Sequence, residues 1–397
     1  MDDFGPKPRL RLLLDHFARI DDPREPCKVA HPLPEVLLLM VCATIASCDD
    51  FDDIAAWGEA HLAFLRRFLP YHHGVPGGRW LNILMNRIDP ELFSACFMAW
   101  ARDLRADAPG LVAIDGKTSR RSHDRSAGKH VPDPDPGAAL HLVSAFATRE
   151  KLVMGSEAVD EKSNEIVAIP ALLERLAASG ALEGSLVTID AIACNPKIAG
   201  NIVDAGADYL LAVKGNQPGL HAEIERLFAD PGDIPVERHE DIDKGHGRIE
   251  KRTARVCRTV DWLIGERRFP GEYRFEKIAA VARVETEVEE KGRTRREHRC
   301  YITSRPLAAQ ALGEAVRAHW RIENSLHWVL DVTFREDLCR VRKGHGPKNM
   351  AVVRHFALNL VRNANDKHSI KLRRKRAGWD TNYLEALLTP KSVNLDS

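Results

Sequence analysis

The chain has 397 residues, of which 44% are hydrophobic and 29% charged, and its formal net charge is +1. That length accommodates two or three domains with real cores, and that composition excludes wholesale disorder. The longest apolar run, Val36 to Ala46, is too short to cross a bilayer, and Met1-Asp2-Asp3 lacks the basic flank of a signal peptide, so a cytoplasmic location without a membrane partner is expected.

Cysteines stand singly at positions 27, 42, 48, 96, 194, 257, 300 and 339, never with CxxC spacing. Neither a zinc ribbon nor a thioredoxin motif is therefore predicted, and free or buried thiols are expected. The small net charge conceals an acidic cluster at Asp49, Asp50, Asp52 and Asp53 and a basic block at Lys371, Arg373, Arg374, Lys375 and Arg376. Such a block permits a nucleic-acid partner without demanding one.

In chain order, residues 34 to 104 carry helical periodicity, as in Leu37, Met40, Val41 and Ile45, or Phe93, Phe97 and Trp100. Gly74-Val75-Pro76-Gly77-Gly78 divides this region into two helical pieces, and Ala108-Pro109-Gly110 marks a boundary. Leu111 to Asp115 reads as a buried strand. Residues 140–148 and 151–159 read as a hairpin, 164–179 as an amphipathic helix, 185–190 as a strand, 197–205 as a helix and 209–213 as a strand. This succession predicts an α/β fold with a mixed sheet. Residues 220 to 306 alternate and are heavily charged, as expected of an inserted β-region. A long helix over 308–329 follows, with apolar positions Leu312, Val316, Trp320, Leu326 and Leu330, and then a helix over 348–362.

Two segments echo each other, Val112-Ala-Ile-Asp115 and Val187-Thr-Ile-Asp190, each delivering an acid at a strand end. Ligand sites in open α/β sheets gather there. Either Asp alone reads equally as a turn acid or a helix cap. Together they suggest carboxylates kept close by a cation. Glu323 lies near the apolar stripe of its helix, where a charge needs a metal or an ion pair with Arg317 or Arg321. An Asp-Asp-Glu set is all oxygen, which suits magnesium, or manganese as a substitute. Two such ions about 4 Å apart serve in-line displacement at phosphorus.

The segments VAIDGKTSRRS, VTIDAIACNPKIAGNIVDAGADYLLAVKGNQP, GHGRIEKR and HWRIENSLHWVLDVTF resemble the DDE transposases of bacterial insertion sequences, in the branch that includes the H-repeat-associated proteins. The resemblance spans nearly the whole chain and places the family's three acidic ligands on Asp115, Asp190 and Glu323. It implies an RNase H-like core with a β-rich insertion, preceded by a helical N-terminal domain. The expected division is a helical region over 1–108 (DNA-end binding), a core over 109–219 and 307–365, an insertion over 220–306, and a basic tail over 366–397. It further implies two divalent cations and a bacterial, nucleoid-associated setting. The partners would be double-stranded DNA, as element terminal inverted repeats and target, and a second protomer that brings two ends together. A relative that binds DNA without cutting, or a nuclease on the same core, remains compatible with these residues.

Further DNA contacts are assigned as candidates beside their plainer alternatives. Lys214 and Asn216 suit a phosphate contact or a loop brace, with surface solvation an equal reading for Lys214, and His246 and Arg248 a DNA contact or a charged hairpin tip. His319, Trp320, Asn324 and His327 surround Glu323, and Arg373 and Arg374 offer backbone contacts or solvated helix surface. Some positions depart from the pattern. The wider class carries Tyr, Arg and Lys around the glutamate where Val316, His319 and Leu330 stand. Branch members favour Gln at Asn195, and Pro-Ser-x-Asp-Thr-Phe where this chain reads Pro76-Gly-Gly-Arg-Trp-Leu81.

Overall fold

The computed structural model describes residues 9–105, 110–118, 140–159, 165–245, 248–264 and 274–389. Six helices come first: α1 (Arg9–Phe17), α2 (Leu33–Ile45), α3 (Phe51–Ala60), α4 (Leu62–Leu65), α5 (Gly78–Met85) and α6 (Pro90–Asp103). Asp50 and Asp89 start α3 and α6 by accepting hydrogen bonds from the backbone N–H groups of Asp53 and Glu91. The apolar run around Val36 to Ala46 forms α2, which is buried along nearly its whole length and serves as the central rod of this region. At Gly78 an added Cβ would stand 2.9 Å from Phe51 O, so glycine lets α5 approach the start of α3. The region thus breaks at more points than the Gly74–Gly78 cluster alone.

The strands β1 (Leu111–Thr118), β2 (His141–Ala147) and β3 (Leu152–Val159) are followed by α7 (Glu165–Ala178), β4 (Leu186–Ile189), α8 (Pro196–Asp204) and β5 (Asp208–Val213). Next come α9 (Pro218–Ala229), β6 (Glu237–Gly245), β7 (Arg248–Cys257), β8 (Ala280–Glu290) and β9 (Arg293–Thr303). Among the described residues these strands form one nine-stranded sheet in the order β3-β2-β1-β4-β5-β9-β8-β7-β6. β1, β4 and β5 are mutually parallel, whereas β2 runs antiparallel to β1 and β9 antiparallel to β5. The charged stretch expected to be a separate insertion therefore opens with a helix, α9, and its strands continue the central sheet.

Alternation along the strands covers both faces. Tyr209, Leu211 and Val213 join the cluster that contains Ile198 of α8 and Ile224 of α9. Leu210 and Ala212 join Leu312, Ala315 and Val316 of α10 (Ala309–His319). α11 (Gly346–Arg362) is buried almost throughout and packs on α2, α6 and β3, tying the helical region to the sheet.

Of the expected basic tail, residues 366–389 are described, and they pack on the helical region. α12 (Ile370–Trp379) and α13 (Thr381–Leu388) pack on α11, and α12 also on α2. Arg373 and Arg374 are buried, contrary to the expected DNA contact. Arg373 donates to the carbonyls of Val361 and Arg362 and pairs with Asp366, while Arg374 donates to the carbonyls of Thr44 and Thr333. Each guanidinium donates to carbonyls near helix ends, where intrahelical partners run out. No described helix is long and apolar enough to cross a membrane.

Candidate active site

Ile114 of β1 pairs with Ile189 of β4 across a parallel ladder. Asp115 and Asp190 are the next residues, and Asp190 keeps extended backbone. The two acids therefore leave neighbouring strands at one level, roughly 5 Å apart at the backbone. Gly116 makes room on the far side of Asp115, since a Cβ there would meet Glu165 Oε1 at 2.4 Å and His141 Nε2 at 2.8 Å.

Glu323 arrives from a distorted helix. Beyond α10 the backbone widens into two π-helical turns, Glu323–His327 and Val329–Thr333, in which the N–H of Trp328 donates to Glu323 O and that of Phe334 to Val329 O. Such wide turns recur at functional sites. Ile322 and Leu326 carry the buried stripe past the glutamate, whose side chain is 52% exposed. The expectation of a charge on a buried face thus fits Asp115, 21% exposed, better than Glu323.

His327 joins the two acids. Its Nδ1 lies 3.6 Å from Asp115 Oδ2 and 3.5 Å from Glu323 Oε2, and ligand atoms of the three residues lie within 4.8 Å of one another. Asp190 is not in that group; its Oδ1 is 3.5 Å from Lys214 Nζ. Burial pushes the Asp115 carboxyl up to about 7 against the pull of His327, and the charge of Glu323 adds to the rise. Contact with His327 holds Glu323 below the usual carboxylate range. A buried carboxyl facing a second acid is costly when ionised, and a hard divalent cation relieves that cost. The residues fit such an ion.

The neighbouring side chains divide into braces and groove. Asn216 donates its Nδ2 to the carbonyls of Ala191 at 2.6 Å and Cys194 at 3.2 Å, and Gln217 Nε2 to Cys194 O at 3.0 Å. Of its two expected roles, Asn216 fills the loop brace. His319 is buried with Nδ1 2.9 Å from Thr188 Oγ1, and burial pushes its imidazole down to about 4. Trp320 is partly exposed, with the Arg299 guanidinium 4.4 Å from its ring centroid.

Beside it a cavity of about 410 Å³ opens between β7, β8, β9 and α10. Arg248, Arg252, Arg299, Arg317 and Arg321 line it with Trp320 and Asn324, the residue after Glu323. Its lining is predominantly basic, although Glu250 and Glu297 share it. Arg317 also pairs with Asp241 at 3.1 Å. His246 lies outside the described residues.

Sequence reasoning passed over a second layer. Lys117 stands two residues past Asp115, on the same face of β1. It is buried, and its Nζ lies 2.5 Å from both Asp331 Oδ1 and Glu336 Oε2. Glu336 also faces Arg354 at 3.6 Å. Burial opposes the charge of Glu336, but Lys117 and Arg354 hold its carboxyl down to about 2. The signal was Lys117 itself, within VAIDGKT at strand alternation from Asp115.

A mixed α/β sheet that presents acids at the ends of adjacent parallel strands, with a third acid from a facing helix, defines a class of carboxylate-centred α/β proteins. Comparison with known families makes the assignment specific. Residues 107–360 match the model of the transposase DDE domain, and residues 14–101 that of the DDE_Tnp_1-associated region. The chain is 37% identical over 393 residues to the H repeat-associated protein YhhI of Escherichia coli (strain K12), classed by name as a transposase. That match covers 97% of this chain and all of the relative. It is 36% identical over 386 residues to YncI of Escherichia coli O157:H7, also named as a transposase, covering 96% of this chain and 95% of the relative. Among solved structures, the piggyBac transposase synaptic complex with hairpin DNA aligns at a TM-score of 0.43 and 9% identity, over 100% of this chain and 84% of that one. The chain belongs to the DDE transposase family, in the branch of the H-repeat-associated transposases.

Proposed function

We propose that this protein cuts and joins DNA, with Asp115, Asp190 and Glu323 holding two divalent cations, magnesium or manganese in its place. Asp115 carries the reading: a largely buried carboxyl at a strand end, pushed up to about 7, faces Glu323 across His327. When bound, such ions activate an attacking oxygen and stabilise a leaving oxygen at phosphorus. The order β3-β2-β1-β4-β5, with β2 antiparallel to its neighbours, supports an RNase H-like core.

Water attacks a phosphodiester at the element's end, and the P–O bond to the 3′ oxygen breaks to leave a 3′-hydroxyl. That hydroxyl then attacks a phosphorus of target DNA in the same site. The target strand's P–O bond to its 3′ oxygen breaks to leave a new 3′-hydroxyl, and no covalent protein intermediate forms. His327 sets the facing carboxylates, Asn216 and Gln217 hold the loop after Asp190, and the arginine-lined cavity receives DNA phosphates. Double-stranded DNA, as terminal inverted repeats and target, is the substrate. Two protomers pair the element's ends.

The test incubates the purified chain with magnesium and an end-containing DNA, beside Asp190→Ala. Nicks and joined products that vanish in the variant support the reading. Nicking without joining indicates a nuclease, and binding without cleavage in magnesium or manganese indicates a repurposed DNA-binding protein.

A further inference from the structure

On the sheet face opposite α10, one oxygen of Glu225 gathers three metal-binding side chains. Cys300 Sγ and His298 Nε2 each lie 3.0 Å from Glu225 Oε1, and His221 Nε2 lies 3.9 Å away. Ligand atoms of His221, Glu225 and Cys300 lie within 4.8 Å of one another. His221 and Glu225 share a face of α9 at i and i+4, while His298 and Cys300 share a face of β9 at i and i+2. Packing of α9 on β9 brings the pairs together.

We propose that His221, Glu225, His298 and Cys300 form a zinc site that clamps α9 to β9. Mixed imidazole, thiolate and carboxylate sets in tetrahedral array are zinc's preference. With zinc–ligand bonds near 2.0–2.3 Å, neighbouring ligand atoms stand roughly 3.3–3.6 Å apart. The contacts of 3.0, 3.0 and 3.9 Å around Glu225 Oε1 bracket that spacing for the edges at Glu225. His298 stands outside the set whose ligand atoms all lie within 4.8 Å of one another, so its half-exposed ring closes in as the fourth ligand on binding. The other oxygen, Oε2, is engaged 3.2 Å from Arg283 Nη1, which aims Oε1 at the cluster as an outer partner orients a ligand. Two neutral imidazoles, one thiolate and one carboxylate balance a dication. The Cys300 proton leaves to solvent on binding, and no electron is exchanged.

The clamp joins two elements that border the candidate active site. α9 begins directly after the loop of Lys214, Asn216 and Gln217 that braces the stretch after Asp190. β9 carries Arg299, between two ligands, over Trp320 on the opposite face. Zinc here would fix the loop relative to the groove. It takes no part in the chemistry at Asp115.

Full-length protein is loaded with zinc, dialysed, and its metal counted by mass spectrometry. Cys300→Ser, His298→Ala and, as a control for the carboxylate centre, Asp190→Ala are treated identically, and circular dichroism establishes folding. The expected result is about one zinc per chain in wild type and Asp190→Ala, with affinity lowered at least ~100-fold in the folded cluster variants. Cobalt in place of zinc should give a thiolate charge-transfer absorption that Cys300→Ser abolishes. Folded wild type that retains no zinc overturns the proposal. So does zinc retained undiminished in both cluster variants, which would place the metal elsewhere.

Discussion

Thr188 Oγ1 and His319 Nδ1 stand 2.9 Å apart in a buried hydrogen bond. Thr188 lies two residues before Asp190, and His319 four before Glu323, so the bond fastens the strand that delivers one acid to the helix that delivers another. Thr188→Val keeps the shape and removes the hydroxyl's bond to His319, which keeps a backbone hydrogen bond at Thr188. The expected cost is about 0.5–1.5 kcal/mol of stability, that of one net hydrogen bond. A drop in DNA cleavage larger than the fall in DNA affinity should accompany it, because geometry rather than binding is lost. Equal falls in both would assign the pair to general stability alone.

Lys117 gives a sharper stability test. Lys117→Met leaves Glu336 and Asp331 without the cation 2.5 Å away. Removing one member of a buried ion pair costs about 3–5 kcal/mol. Urea unfolding should therefore show a large loss for the single variant and a smaller one for Lys117→Met combined with Glu336→Met. A neutral single variant would show that the network is dispensable.

Burial pushes His355 down to about 4, against an ordinary value of 6.5. As pH falls below 6.5 the unfolded chain takes up the proton first, so this contribution is complete above 6.5 and is lost towards pH 4. On the order of 3 kcal/mol is at stake. Asp115, raised to about 7, acts in the opposite sense, because its folded form binds a proton first. The diagnostic is accordingly a difference: His355→Leu should flatten the fall in stability between pH 6.5 and 4 relative to wild type. An unchanged slope would contradict the assignment.

Arg374 and Lys375 are neighbours with opposite fates. Arg374 is buried against the carbonyls of Thr44 and Thr333, whereas Lys375 is exposed. Arg374→Ala should lower the melting temperature by several degrees, while Lys375→Ala leaves it nearly unchanged. Thermal melts of the two variants separate structural from surface charge in this basic block.

The architecture was legible where local pattern decides it. Apolar runs ending at Asp115 and Asp190 could be read as strand ends, since a short apolar run suffices for a buried strand. Long-range pairing was not legible. Nothing local to Leu210–Val213 says that Cys300–Thr303 pairs with it, so strands β6 to β9 looked like a separate insertion. Charge misled at Arg373 and Arg374, because a basic run carries no mark of which guanidinium reaches a buried carbonyl. The His221–Cys300 cluster escaped for a related reason: its ligands come in two unlike pairs far apart in the chain, and CxxC spacing cannot find them. Glu323 stood out through resemblance, and the widened turn that exposes it has no sequence signature of its own.

The ladder between β5 and β9 has a practical corollary. A shortened protein without residues 237–303 would leave β5 as a bare rim, its N–H and C=O groups from Leu210 to Val213 stripped of their partners. Such a rim invites strand addition by another molecule. Minimal versions of this enzyme made by trimming the outer strands should therefore precipitate, rather than survive as a smaller catalyst.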